Sequence, residues 1–432
     1  MADLTPILFR FKIGRILALI LLISVFPGKQ ANAVYLLIPM DDRQQNHLKA
    51  YGIAYWTLEK AIEVKWLLNY RGGSFLISHA DEIERECLVR GVSVEKLADA
   101  QANLLLTEIS GPEVNQDAVS MQKAPKIAVY TPLNKQPWDD AVTLVLTYAE
   151  ISYDKIYDEE ILNGKLKEYD WLHLHHEDFT GQFGKFFRNY QNMPWYQEEV
   201  GINKELARNL GFLKVSEMKL AVGKEIKKYL SQGGFLFAMC AATDTYDIAM
   251  AADGIDICES MFDGDPADPD MNKKLDYDQT LAFKDFTIET NPFVYEFSDI
   301  DVTEKRNVPP NQDFFTLFDF SAKWDPVPTM LTQNHSRIIK GFMGQTTAFH
   351  SHLVKANVLV MGENKAAGEA RYIHGETGKG FWTFYGGHDP EDYRHLVGDP
   401  PTDLNLYPNS PGYRLILNNV LFPAAKKKKQ KT

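Results

Sequence analysis

Apolar positions along the chain change their spacing near residue 123. In residues 34–122 they recur largely at helical intervals. Leu48, Ile53, Trp56 and Leu58 fall on one face of QQNHLKAYGIAYWTLEKAIEV, and GVSVEKLADAQANLLLTE carries a second such pattern. The spacing predicts a helix-rich N-terminal region, broken by two short strands or a turn around Gly72 and Gly73 in KWLLNYRGGSFLI. The polar, turn-forming stretch GPEVNQDAVSMQKA at residues 111–124 marks its end. From there to residue 425, short apolar runs alternate with amphipathic ones. KIAVY, YDKIY, YDWLHLHH and GFLFAMC read as strands. VSEMKLAVGKEIKKYLSQ reads as an amphipathic helix closed by Gly233 and Gly234, and a further helix starts near Asp244. VLVMGE, EARYIHG and KGFWTFYGG read as late strands and PGYRLILNNVLFP as a closing helix. Continuously apolar strands separated by helices predict an α/β fold, an open parallel sheet covered by helices on both faces. The Pro- and Asp-rich residues 263–345 read as an insertion at one end of that sheet.

The first 33 residues have a different character. Arg10, Lys12 and Arg15 precede an apolar run at residues 16–26, then Pro27-Gly28 and the small-residue site Ala31-Asn32-Ala33. The run is shorter than the ~20 residues of a membrane-spanning helix. The pattern predicts a signal peptide over residues 1–33, a mature start at Val34, and a periplasmic or secreted protein with no stable membrane span after cleavage. A net charge of −12, relieved only by the basic tail at 426–432, argues against a nucleic-acid surface. Three cysteines, Cys87, Cys240 and Cys258, are too few and odd in number for a disulfide scaffold and leave at least one thiol free or bonded to another chain.

Two stretches carry candidate chemistry. In GGFLFAMCAATDTYDIAMAA an apolar strand stops at Cys240, small residues follow and a helix begins. That context lets a backbone turn sharply and present a nucleophile near a helix N-terminus, although a buried structural cysteine would look similar. In HLHHEDFTG, His173 and His175 share one face of a strand, with His176, Glu177 and Asp178 at its carboxyl end. The cluster reads as a substrate pocket beside Cys240 in which Gly181 offers a backbone N–H; Asp244 and Asp389 complete the set. No cofactor is required, and a divalent metal at His175, His176 and Glu177 is the alternative. His173, deepest in the strand, reads as the most structural. DGDPADPD gathers Asp263, Asp265, Asp268 and Asp270, but its prolines break calcium-loop spacing and it reads as a solvated loop.

The elbow at Cys240 and the late motif GGHDPED, with His388 and Glu391, together resemble the class I glutamine amidotransferases over roughly residues 125–425. The resemblance implies a flavodoxin-like sheet, Cys240 as nucleophile, His388 as its base and Glu391 as the group orienting the imidazole. The chain departs from that pattern in having Ala on both sides of the elbow and Asp389 between His388 and Pro390. Trehalose-utilisation-type relatives of this fold, which share a late Gly-His-Asp, imply a sugar-related ligand and often lack the triad. The stretches YLLIPMD, LNYRGGSF, WLHLHHEDFTGQ, LFDFSAKWDPVPTMLTQNH and FYGGHDPEDY are similar to exported bacterial proteins catalogued as asparagine synthetase B. That name implies glutamine hydrolysis and ATP use. Cleavage would however expose Val34 rather than Cys, and the match to an ATP loop, Cys240 to Thr245, lacks both glycines. The expectations are therefore Cys-dependent amide hydrolysis of a small polar or sugar-linked substrate, or a non-catalytic ligand- or glycan-binding module, with asparagine synthesis least supported.

Overall fold

The computed structural model describes residues 34–132 and 134–425. The expected signal peptide and basic tail lie outside the described residues. Among the described residues no helix is long and apolar enough to cross a membrane.

The N-terminal region is more than helices. Strands β1 (Tyr35–Ile38), β2 (Val64–Leu68), β3 (Ser74–Ser78), β4 (Glu95–Leu97) and β5 (Asp117–Met121) form an antiparallel sheet in the order β4-β1-β3-β2-β5. The β2–β3 turn sits where the sequence places two strands. Gly72 takes φ +76° there, and a Cβ on it would come 2.3 Å from the Met40 carbonyl. Helices α1 (His47–Glu59), α2 (Asp81–Val89) and α3 (Asp99–Ser110) flank this sheet. The sequence reading missed β1, β4 and β5; β4 and β5 are flanked by polar residues, so no long apolar alternation announces them. Helix α1 is buried on nearly all sides, because it lies between this sheet and the helices of the C-terminal part, with which it shares one apolar core.

The second sheet has ten strands: β6 (Ile127–Tyr130), β7 (Asp154–Ile156), β8 (Trp171–Leu174), β9 (Phe235–Met239), β10 (Phe314–Leu317), β11 (Ile338–Lys340), β12 (Phe349–His350), β13 (Leu359–Asn364), β14 (Glu369–Thr377) and β15 (Gly380–Tyr385). Only β7-β6-β8-β9-β15 run parallel. The sheet continues antiparallel through β14, β13, β10 and β11, so it is mixed rather than wholly parallel. The reason is local: β14 and β15 are joined through Gly378 and Lys379 alone, and a two-residue connection permits only antiparallel pairing. The expected insertion at 263–345 is partly built into the sheet, since it supplies β10 and β11.

Helices cover both faces of the parallel half. Ile127, Val129, Trp171, Phe237 and Met239 face the core shared with α4 (Ala141–Ala149) and the closing α8 (Pro411–Leu421). Ala128, Leu172, Leu174, Leu236 and Ala238 face α6 (Val215–Gln232) and α7 (Ala242–Ala251), with α5 (Pro194–Asn209) packed outside α6. Burial on both faces explains why these strands are apolar throughout instead of alternating.

Candidate functional site

The carboxyl ends of β6, β8, β9 and β15 point the same way, and the residues that follow each strand converge. Cys240 comes directly after β9, with φ +50° in the left-handed region that a non-glycine residue rarely occupies. The turn is held by backbone bonds: Cys240 N–H donates to Gly387 (3.2 Å) and Ala242 N–H to His175 (3.0 Å). Its Sγ accepts the Gln345 N–H at 3.4 Å. The side chain is only 4 % exposed, and burial pushes the thiol up to about 11. All residues of α7 are buried, which is why alanines recur along it.

Around Cys240 stand three histidines. One ligand atom from each of His175, His176, Cys240 and His388 lies within 4.8 Å of all the others. The His388 ring packs at 4.8 Å from His175, 4.7 Å from His176 and 4.6 Å from His395. Both ring nitrogens of His175 and Nε2 of His388 are buried and have no hydrogen-bond partner. Burial, then the neighbouring rings, hold His176 and His388 well below the usual imidazole range.

Asp140 organises this cluster from behind. It caps α4 by accepting the Thr143 N–H at 2.9 Å. Its other contacts are His173 Nε2 at 3.1 Å and His175 Nδ1 at 3.3 Å. Burial alone would raise its carboxyl, but the two imidazoles hold it well below the usual range. His173 also donates Nδ1–H to the Phe237 carbonyl at 3.1 Å and is fully buried, a brace between strands. His176 donates Nε2–H to the Asp139 carbonyl at 2.9 Å. His395 lies 2.8 Å from Asp139 and 3.0 Å from Asp392, and these carboxylates, Asp139 first, push it up to about 9.

Several expected roles change. Glu391 does not orient His388. Asp389 accepts the N–H groups of Glu391 and Asp392, and this tight turn carries Glu391 away, so that its carboxyl interacts with Ser410. Asp389 also accepts the Thr402 hydroxyl at 2.7 Å and serves the loop. Asp244 is buried, accepts the Thr346 hydroxyl at 2.9 Å and is pushed up to about 7 by burial. Glu177 is not among the clustered ligand atoms; its carboxylate accepts the His175 backbone N–H at 2.8 Å. In the stretch from Cys240 to Thr245, the N–H groups of Cys240, Ala242, Thr243 and Thr245 already donate to protein carbonyls and are not free to cradle a phosphate.

A cavity of about 530 Å³ opens at the carboxyl ends of β6, β7 and β8. His176, Glu177, Asp178 and Gly181 line it, whereas Cys240, His388, Glu391, His173, His175, Asp244 and Asp389 do not. Trp138, Phe186 and Trp195 form an aromatic wall, with Trp138 5.1 Å from Phe186 and 5.4 Å from Trp195. Glu199, one helical turn after Trp195, accepts from Asn134 (3.2 Å) and Gln136 (2.9 Å). Lys219 reaches the floor and donates to Asp158 (2.8 Å), Tyr130 (2.8 Å) and Tyr157 (3.0 Å). Burial pushes Glu177 up to about 8. A larger cavity of about 790 Å³, near Trp324 and Phe422, lies at the opposite end of the strands and gathers fewer convergent polar groups.

Sequence reasoning missed Asp139, Asp140, Trp138 and His395. Only Asp140 had a legible signal, an Asp three residues before Thr143 at the start of a helix. The acidic loop is neutralised by lysines: Lys214 meets Asp263 (2.9 Å) and Asp265 (2.6 Å), Lys273 meets Asp270 (2.6 Å), and Lys274 meets Asp268. Cys87, Cys240 and Cys258 are all free and buried.

No protein-family model and no curated protein matches this chain. Solved structures similar to it include a cytoplasmic protein of Salmonella typhimurium, with TM-score 0.34 and 11% identity, covering 70% of this chain and 100% of that one. A second cytoplasmic protein, from Salmonella typhimurium LT2, gives TM-score 0.33 and 14% identity over 70% and 100%. A GH42 beta-galactosidase gives 0.27 and 11% over 62% and 28%. These superpositions are too loose to carry an argument about fold or function, and the resemblances to amidotransferases and to proteins catalogued as asparagine synthetase B rest on the quoted motifs alone.

Proposed function

We propose that this protein binds a small polar ligand, of sugar-like chemistry, in the cavity at the carboxyl ends of β6, β7 and β8. One observation carries the reading. The cavity sits beside the β6–β8 pair, where the chain's path across the parallel strands reverses, and open α/β sheets take their ligands at that point. Numbered within the parallel half, the strand order is 2-1-3-4-5, that of flavodoxin-like sheets, which supports the amidotransferase-like reading of the fold. The volume suits a small molecule, and a lining that combines aromatic rings with carboxamide and carboxylate groups suits a polyol with one apolar face. The test is a thermal-shift screen of the purified chain over mono- and oligosaccharides and small amides, with titration calorimetry on the hits. A hit whose affinity falls at least tenfold in Trp138→Ala supports the reading; hits insensitive to Trp138→Ala and Glu199→Gln, or none at all, reject it.

Cys-dependent amide hydrolysis is a second reading, favoured by the strained φ of Cys240 next to His388. It requires the thiol to reach substrate, although Cys240 does not line the cavity. Ammonia release from glutamine or another carboxamide that disappears in Cys240→Ala supports it; turnover unchanged in that variant eliminates it.

A further inference from the structure

We propose that His175, His176, His388 and Cys240 bind one transition-metal cation of the zinc class through three imidazole nitrogens and a thiolate. Four observations converge on it, and none depends on the cavity's ligand. The four ligand atoms already lie within 4.8 Å of one another; bonds of about 2.0–2.3 Å to a central zinc set tetrahedral ligand atoms about 3.3–3.8 Å apart, a closure of at most about 1.0–1.5 Å, within reach of side-chain rotation. Nε2 of His175 and Nε2 of His388 are buried without a partner, a condition that folded proteins rarely leave uncorrected.

The outer contacts also set the tautomers. Nδ1 of His175 lies 3.3 Å from the Asp140 carboxylate without completing a hydrogen bond; a proton placed on that side leaves the lone pair on Nε2. Nε2–H of His176 is committed to the Asp139 carbonyl at 2.9 Å, which leaves Nδ1 as the lone-pair nitrogen. A carboxylate and a carbonyl behind the ligand imidazoles is the arrangement that orients histidines on metals. Finally, the backbone at Cys240 is held at φ +50° and an N–H from Gln345 is directed at the sulfur, an acceptor that is stronger as thiolate. Binding releases the thiol proton to solvent and forms one metal–sulfur and three metal–nitrogen bonds, with no change of oxidation state. His176 also lines the cavity, so the cation fixes one of its walls.

The experiment uses the full purified chain, stripped with a chelator and titrated with Co²⁺ as a spectroscopic stand-in for Zn²⁺. The expected result is one equivalent bound per chain, tetrahedral d–d bands, a sulfur-to-cobalt charge-transfer band, and displacement by Zn²⁺. Cys240→Ser should lose the charge-transfer band and His388→Ala should weaken binding at least 100-fold, while Cys87→Ser and Cys258→Ser leave both unchanged. If His388→Ala does not fold, the near-isosteric Cys240→Ser still decides the matter. Folded wild-type protein that takes up no stoichiometric Co²⁺ overturns the proposal. So does a spectrum unaltered in Cys240→Ser, or Cys240 alkylated by iodoacetamide as fast with saturating Zn²⁺ as without it.

Discussion

Two clusters of buried polar side chains lie along the large sheet and differ in how they are completed. In the antiparallel half, Arg306, Asp313, Glu369 and Arg371 join two cations to two anions. Arg306 meets Asp313 at 2.6 Å and Glu369 at 2.9 Å, and Arg371 meets Asp313 at 3.0 Å and the carbonyls of Phe342 and Thr347 at 2.7 Å each. Nearly every donor finds an acceptor, with Arg371 Nε the exception. In the parallel half, His175, Cys240 and His388 are buried and His176 is half-buried; one ligand atom of each lies within 4.8 Å of the others, and neither ring nitrogen of His175 nor Nε2 of His388 has a protein partner. The first cluster is closed by charge balance and ties β10 to β14. The second is held by the Asp139 carbonyl on His176 and the Gln345 N–H on Cys240, with the Asp140 carboxylate beside His175. The two clusters share burial and differ in how many of their polar atoms find protein partners.

Four experiments break or sharpen this contrast. The largest effect should come from Asp313→Ala, which leaves two buried guanidinium groups without their shared anion and should cost about 3–5 kcal/mol in urea unfolding, with or without metal. A loss under about 1 kcal/mol would mean that the closed cluster is not what holds that half together.

Asp247 provides an acid closed by backbone alone, through the N–H groups of Leu281, Ala282 and Phe283. Burial outweighs those bonds and pushes its carboxyl from 3.8 up to about 6. The folded state then keeps a proton that the unfolded chain releases, so this group's contribution falls as pH rises from about 4 to about 6, by about 3 kcal/mol. The stability of wild type minus that of Asp247→Asn should shrink across that window, and a constant difference would contradict the assignment.

Next in size, saturating Zn²⁺ at about 100 times its dissociation constant should stabilise wild type and Asp313→Ala alike by about 2.7 kcal/mol, with His388→Ala unaffected. Equal stabilisation of all three would place the metal elsewhere. The smallest effect is expected from Asp140→Asn, which keeps the α4 cap acceptor but weakens the orientation of His175. Metal affinity should fall about 10–100-fold with the cobalt spectrum retained, whereas an unchanged affinity would make Asp140 a cap and nothing more.

Much of the α/β layering was legible in the pattern of apolar positions. The runs at β6, β8 and β9, the helix at α6 with its glycine cap and the closing α8 all stand out, because strands buried on both faces and a long amphipathic helix have distinct periodicities. The strands β4 and β5 did not, since each is short and flanked by polar residues. At the site, the abrupt end of an apolar strand marked Cys240, and the cluster HLHHED marked His175 and His176. Asp140 and His395 could not be found that way, because their meaning comes from partners on other strands and loops.

By itself, the sequence determined which segments become buried strands and helices, and that a cysteine and several histidines fall at strand ends. Local periodicity and turn chemistry encode both. The tertiary structure alone decided that half of the sheet runs antiparallel, that Glu391 pairs with Ser410 instead of His388, and that three imidazoles and a thiol come within 4.8 Å of one another. Those outcomes depend on strand order and on contacts between residues far apart in the chain, and neither leaves a trace in local spacing.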